Sequence, residues 1–189
     1  MIITDFDKTL TKKDSLFLFY INVVFNARLL RIIYLPVYIL IMILNKLGLL
    51  SNNQLKAAGV YLFLKGLHRS EIEFVAQLYG SRIALNSFGK ELFLSVKECL
   101  VITASLKVYV THAVPSSYKV LGSTLSYSSG EVVTGIKTNL YGHTKGITLS
   151  KYCKGNSFDV FYTDDIVADS SVIPYAKSVK IIKNGKVVK

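Results

Sequence analysis

The sequence predicts an α/β fold in which a parallel sheet carries a helical cap insertion after its first strand. Three observations predict it. Short β-branched runs alternate with helical patterns, polar residues gather where those runs stop, and a long apolar block separates the first run from the second. In open parallel sheets ligands bind beyond the carboxyl ends of the strands, so residues at those ends are the candidates for function.

The first strand is "MIIT", and it delivers Asp5 and Asp7 on the same side of an extended backbone, because side chains alternate with a period of two. Alone, such a pair equally suits a strand end and a turn. Residues 15–50 follow, with charges only at Arg28, Arg31 and Lys46. The uninterrupted apolar run from Ile32 to Leu44 is shorter than the roughly 20 residues that span a bilayer, and it contains Pro36. Acidic residues precede the segment and no small-residue cleavage pattern follows, so it is not a signal peptide. Two readings remain. One is a helical hairpin buried within a cap; the other is a re-entrant or interfacial hairpin in one leaflet, with its three cations at the headgroups. A soluble cap helix should have a polar face, and 32–44 has almost none, which favours membrane contact.

Amphipathic patterning then resumes. Ser70 and Glu73 suggest a capping box, and residues 52–97 read as two or three helices broken at Gly66, Gly80 and Gly89. "ECLVITASLKVYV" is a strand ending at Thr103 and leading into a helix. A hairpin is expected around Gly130, a helix from near Lys145, and a strand in "SFDVFYTDD" that stops at Asp164 and Asp165. The tail spaces Lys177, Lys180, Lys183, Lys186 and Lys189 around Asn184-Gly185, a hairpin whose lysines keep a sheet edge soluble.

Composition narrows the function classes. With 189 residues, 51% of them hydrophobic, the chain can bury one core and is not disordered. Cys99 and Cys153 stand apart without metal-ligand spacing, which indicates reduced thiols in a cytosolic compartment. The net charge of +11 favours an anionic partner. No zinc-finger spacing or RNA-binding aromatic signature is present, which disfavours nucleic acid, and nothing indicates a protein partner. His68, His112 and His143 lack ligand spacing and read as surface or cap residues. Lys8, Asp14 and Ser15 follow the first aspartates closely and are expected to help shape the pocket.

Four signals fall in order: Asp5-x-Asp7-x-Thr9, Thr103, Lys145, and Asp164/Asp165 with Asp169. Singly, Thr103 could cap a helix, Lys145 could be a solvated charge, and the acidic trio could line a turn. Together the set resembles the four motifs of the haloacid dehalogenase superfamily, in its phosphoserine-phosphatase-like branch. "DFDKTLT", "GEVVTG" and an aspartate followed four residues later by another carry that likeness, while "ITAS" stands where the branch usually has Ser-Gly-Gly. The segments "LLRIIYLPVYILIMILNKLG", "LKGLHRSEIE", "VITAS", "YGHTK" and "FYTDD" are also similar to the bacterial phosphatidylglycerophosphatase C group.

The resemblance implies a Rossmannoid core from residues 1–14 and 98–189, with 15–97 as the cap. It implies a Mg2+-dependent phosphomonoester hydrolase in which Asp5 is the nucleophile and Asp7 the general acid and base. Thr103 and Ala104 would bind phosphate, and Lys145 would compensate charge. The metal ligands would be Asp5, Asp7 through its carbonyl, and Asp165; Asp164 and Asp169 are the alternates or sit behind it. A lipid-borne phosphate at the cytoplasmic face of a bacterial inner membrane is the expected substrate, with a soluble cytoplasmic phosphatase acting on phosphoserine or a similar metabolite as the alternative. No acid and arginine pair suited to gripping a free amino acid is evident in the cap. A third reading is a binding protein on a degenerate fold of this type, since a fold does not establish turnover.

Overall fold

The computed structural model describes residues 1–188; Lys189, last of the tail lysines, lies outside them. Its centre is a seven-stranded sheet in the order β4-β3-β2-β1-β5-β6-β7. The strands are β1 (Ile2–Thr4), β2 (Leu100–Leu106), β3 (Lys119–Tyr127), β4 (Val133–Thr138), β5 (Phe158–Thr163), β6 (Ala176–Lys183) and β7 (Lys186–Val187). From β3 to β6 every pairing is parallel, while β4 and β7 are antiparallel hairpin partners at the two edges. The hairpin expected around Gly130 joins β3 to β4. The Asn184-Gly185 turn joins β6 to β7 with both residues at positive φ, the geometry a two-residue hairpin requires.

The short β1 is the central strand because both its faces are covered. Ile3 packs with Leu100, Ile102, Phe158 and Phe161 on one side, whereas Phe6 and Val101 join the larger cluster on the other. That larger cluster runs into the cap, built from α1 (Leu16–Asn26), α2 (Leu35–Lys46), α3 (Asn52–Gly59) and α4 (Arg69–Gly80). A one-turn π-helix, Val60–Leu64, links α3 to α4. α5 (Ser87–Ser95) lies against the sheet, with Phe88 on the ring of Tyr162. α6 (Lys107–Ala113) follows β2, and α7 (His143–Tyr152) covers the other face.

Several local expectations are revised. α4 begins at Arg69, and Glu71, not Glu73, closes the capping box by accepting from the His68 N–H at 2.8 Å. A bridge between His68 and Val132 fixes the chain there, so the helix starts two residues early. Gly89 is no break: it sits inside α5, where a Cβ would come within 2.3 Å of the Leu10 carbonyl oxygen, so glycine lets the helix reach the loop after β1. Pro36 occupies the first turn of α2, where its missing N–H costs nothing, and it starts the helix instead of interrupting it.

The apolar segment is neither interior nor loose. Leu29–Lys46, with mean hydropathy 1.8, is long and apolar enough to cross a membrane by length and composition, yet only Tyr38 in it is buried. Leu30 is 87% exposed and Ile33 67%. Arg28 pairs with Glu71 at 3.3 Å, and Arg31 donates to the Lys65 carbonyl at 2.7 Å. Both tie the base of the segment to the cap.

Cap and sheet are fastened by Lys56 of α3, which is 6% exposed. Its ammonium donates to the Ala104 carbonyl at 2.6 Å, to Ser123 Oγ at 3.2 Å and to Asn139 Oδ1. All three acceptors are neutral, and burial pushes its pKa down to about 8. A lysine that loses its proton more readily when folded makes the protein gain stability as pH rises from about 8 toward the unfolded value. We therefore expect chemical denaturation to show stability rising by up to about 3 kcal/mol between pH 8 and 10.5. Lys56→Met should flatten that rise; an unchanged slope in the variant would place the titration elsewhere.

Candidate active site

β1 ends at Thr4, and the backbone N–H of Asp5 still donates to the Tyr162 carbonyl at 2.8 Å, so the residue leaves the sheet at a fixed position. Beyond it lies a cavity of about 150 Å3 lined by Asp5, Asp7, Thr103, Ala104, Lys145, Asp164, Asp165 and Asp169. The eight residues expected to serve catalysis, phosphate or metal thus line one cavity at the carboxyl ends of β1, β2 and β5, as do Lys8 and Asp14, whereas Thr9 and Ser15 stand behind its wall. β2 runs on to Leu106 instead of ending at Thr103, but its register with β3 shifts between Ile102 and Leu106. Within that irregularity Thr103 Oγ1 accepts from the Ser105 N–H at 3.0 Å.

Lys145 holds the centre. It is 3% exposed, and it donates to Asp5 Oδ1 at 2.6 Å and to Asp169 Oδ1. Burial alone would lower its pKa, but the two carboxylates outweigh burial and raise it. Asp169 is fully engaged, since its other oxygen accepts from Thr163 Oγ1 at 2.6 Å. The next residue, Gly146, is what allows the approach: a Cβ there would lie 2.2 Å from the Ser171 carbonyl oxygen.

The two leading aspartates differ in their surroundings. Asp5 is pushed up to about 8, mainly by burial, with Lys145 opposing the shift and Asp169 adding to it. Asp7 forms no ion pair among the described residues. Its Oδ1 accepts from the Ser15 N–H at 2.8 Å and Ser15 Oγ at 2.6 Å, and its Oδ2 accepts from Ser105 Oγ. Burial first and then the charge of Asp14 push it up to about 6, against those hydrogen bonds.

Sequence reasoning missed three of the supports, Ser105, Lys56 and Asn86, and named Thr9 without its partner. Ser105 and Lys56 hold the strand end, as described. Asn86 donates to the carbonyls of Thr9 at 2.9 Å and Thr11 at 3.1 Å, stapling the loop after β1. Thr9 Oγ1 reaches Asp164 Oδ1 at 3.3 Å. Only the N-cap signal at Asn86, ahead of "SFGKELF", was visible in the chain, and it says nothing of the loop 75 residues away.

The donor set suits a hard divalent cation. Asp5, Asp164 and Asp165 each line the cavity with one carboxylate oxygen that has no protein partner among the described residues. Asp165 uses Oδ1 to accept from the N–H groups of Val167 and Ala168, both at 3.0 Å. No three acidic, thiol or imidazole groups form a ready metal cage among the described residues. One or two carboxylates, a backbone carbonyl and waters are the usual Mg2+ environment, and Asp5 with Asp164 or Asp165 supplies that. Asp169, committed to Lys145 and Thr163, is left to position Lys145.

Residues 2–167 match the family model of haloacid dehalogenase-like hydrolases. No curated protein matches the chain. Among solved structures, a Bordetella pertussis protein of unknown function superposes with a TM-score of 0.71 at 15% identity, over 94% of this chain and 87% of that one. A substrate-bound phosphoserine phosphatase gives 0.60 at 18% identity, covering 94% and 83%. A haloacid dehalogenase family hydrolase from Salmonella enterica serovar Typhi gives 0.60 at 13% identity over 93% of this chain, which spans 59% of that protein's length. At these identities the likeness is one of fold, with the helical insertion after the first strand in common. With its carboxylate-lined cavity at the ends of a parallel sheet and a family match over most of its length, the chain belongs to the haloacid dehalogenase-like hydrolases.

Proposed function

We propose that the protein is a Mg2+-dependent phosphomonoesterase working through an aspartyl-phosphate on Asp5. The observation that carries this reading is the pairing of two buried aspartates in unlike environments, Asp5 against Lys145 and Asp7 against hydroxyls. Groups whose surroundings divide their roles in this way are how one site supplies both nucleophile and acid.

In the first step an Asp5 oxygen attacks phosphorus, the bond from phosphorus to the ester oxygen breaks, and Asp7 gives that oxygen its proton. In the second, Asp7 takes a proton from water as the water attacks phosphorus and the bond from phosphorus to the Asp5 oxygen breaks, which frees phosphate and restores the Asp5 carboxylate and the protonated Asp7. Thr103 and the backbone at Ala104 would hold phosphoryl oxygens. Lys145 would keep Asp5 oriented and offset charge as it builds. Bound through Asp5, the Asp7 carbonyl and Asp165 or Asp164, Mg2+ would reduce the repulsion between carboxylate and phosphate dianion.

For the substrate we favour a lipid-borne phosphate of the phosphatidylglycerophosphate kind, met at the cytoplasmic face of a membrane. The exposed apolar stretch Leu29–Lys46 and the charge of +11 both suit an anionic bilayer. A soluble metabolite phosphatase is the second reading, supported by the likeness to phosphoserine phosphatase. Against it, Lys56, a cap cation that lines the adjoining cavity, is already committed to three neutral oxygens.

Asp5→Asn, whose amide oxygen still accepts from Lys145, should lower phosphate release at least about 1000-fold in protein that remains folded by circular dichroism; full turnover in that variant would falsify the nucleophile. Wild-type protein with magnesium should prefer phosphatidylglycerophosphate in mixed micelles to phosphoserine in buffer, and the reverse preference would select the soluble reading. Asp169→Ala, which leaves Lys145 half paired, is expected to cost about 3 kcal/mol in urea unfolding, as removal of one member of a buried ion pair does.

A further inference from the structure

A second cavity, of about 540 Å3, adjoins the catalytic one, and the two share Asp7, Asp14, Ala104 and Tyr141 as walls. Beyond those residues one side is apolar, with Leu16, Phe17, Tyr38, Met42 and Leu55, while Lys13, Asn52, Lys56 and Ser105 supply the polar remainder. A molecule reaching from Asp5 into this space passes Asp7, the side on which a leaving group departs. The volume is in the range of pockets that enclose most of a small ligand.

The walls are rigid. Tyr38 stacks on Phe17 with centroids 5.9 Å apart and meets Tyr20 and Phe63 edge-on at 5.6 and 5.3 Å. Tyr38 is 2% exposed and lines the cavity; its hydroxyl makes no hydrogen bond among the described residues, and it is not sealed from solvent. A hydroxyl open to the cavity is free to exchange water for a polar atom of a bound molecule. Leu18, 44% exposed, also lines the cavity, and the outer side of α2 is apolar.

We infer that this cavity is the slot for the leaving group, and that the substrate is a phosphate monoester whose alcohol carries a polar atom near the phosphate and a hydrocarbon chain beyond it. The inference rests on the phosphatase reading for the identity of the site. The chain lies along Phe17, Met42 and Leu55, and the hydroxyl of Tyr38 faces the polar atom. Recognition is therefore by an internal slot and not only by adsorption of the hairpin to a surface.

Ethyl and octyl phosphate, both kept below micelle-forming concentration, separate these ideas. The slot predicts that kcat/KM for the octyl ester exceeds that for the ethyl ester at least about tenfold, since each buried methylene adds to binding. Met42→Trp, which fills the slot from the rim, should collapse that ratio; the ratio is the readout whatever happens to either rate. Calorimetric titration of wild-type protein with ethyl- and octylphosphonate, which cannot be hydrolysed, tests the slot without turnover, and the octyl compound should bind at least about tenfold tighter. Equal affinities, or a preference that appears only in micelles or survives Met42→Trp, would overturn the slot. Chain-dependent phosphonate binding without hydrolysis of any ester would keep the slot and reject the phosphatase reading.

Discussion

The structure is organised around one buried ammonium. Lys145, almost fully enclosed, must be neutralised where it lies, and Asp5 and Asp169 do so from positions 140 and 24 residues away in the chain. Three elements are thereby forced together: the end of β1, the start of α7 and the turn after β5. A buried ionic cluster of this kind is a poor source of net stability, because desolvation consumes most of the attraction. What it fixes is position. Gly146 shows the demand from the packing side, since any larger residue would push α7, and Lys145 with it, away from Ser171.

Around that centre, carboxylates outnumber cations, which is unusual in a chain with a net charge of +11. The excess is tolerated in different ways at different residues. Asp7 is held by the hydroxyls of Ser15 and Ser105, Asp165 by two backbone N–H groups, and Asp169 by Lys145 and Thr163. Asp5 is opposed by Lys145 alone and keeps an oxygen free. The result is a cavity with unspent negative charge at its edge, and that is the environment in which a divalent cation binds most readily. The basic exterior acts at longer range, drawing anions toward the mouth.

The sheet and the acidic cluster were legible in the sequence because both depend on short-range rules. A strand's length, its alternation and the polar residue that stops it can all be read within a few residues, so β1, β5, the Gly130 hairpin and the Asn184-Gly185 turn fall where the pattern puts them. The supports were not legible. Lys56 looks like a surface charge on an amphipathic helix, and only the fold reveals that it crosses to Ala104 and Asn139. Gly89 looked like a helix break because its function is a close approach to Leu10, a residue 79 positions earlier. The capping box was displaced for a similar reason: a strand bridge at His68 decided where α4 starts, and local chemistry offered Ser70 as an equally good cap.

The cap shows how one helix can be asked to satisfy two surroundings. An α-helix that is apolar all round is ordinarily enclosed on every side. α2 is enclosed on one side only: Tyr38 locks into the aromatic cluster with Phe17, Tyr20 and Phe63, while Leu40, Ile43 and their neighbours face outward. The aromatic anchor, together with the ties from Arg28 and Arg31 to the cap, fixes the helix well enough that its outer face is not needed for folding. Exposed apolar surface of this extent is costly in water and is seldom retained without a partner. The inner face of the same helix walls a cavity continuous with the carboxylate cluster. Apolar character on both sides of α2 thus puts hydrocarbon surface on the outside of the cap and along the wall of a cavity that ends among the charges at Asp5.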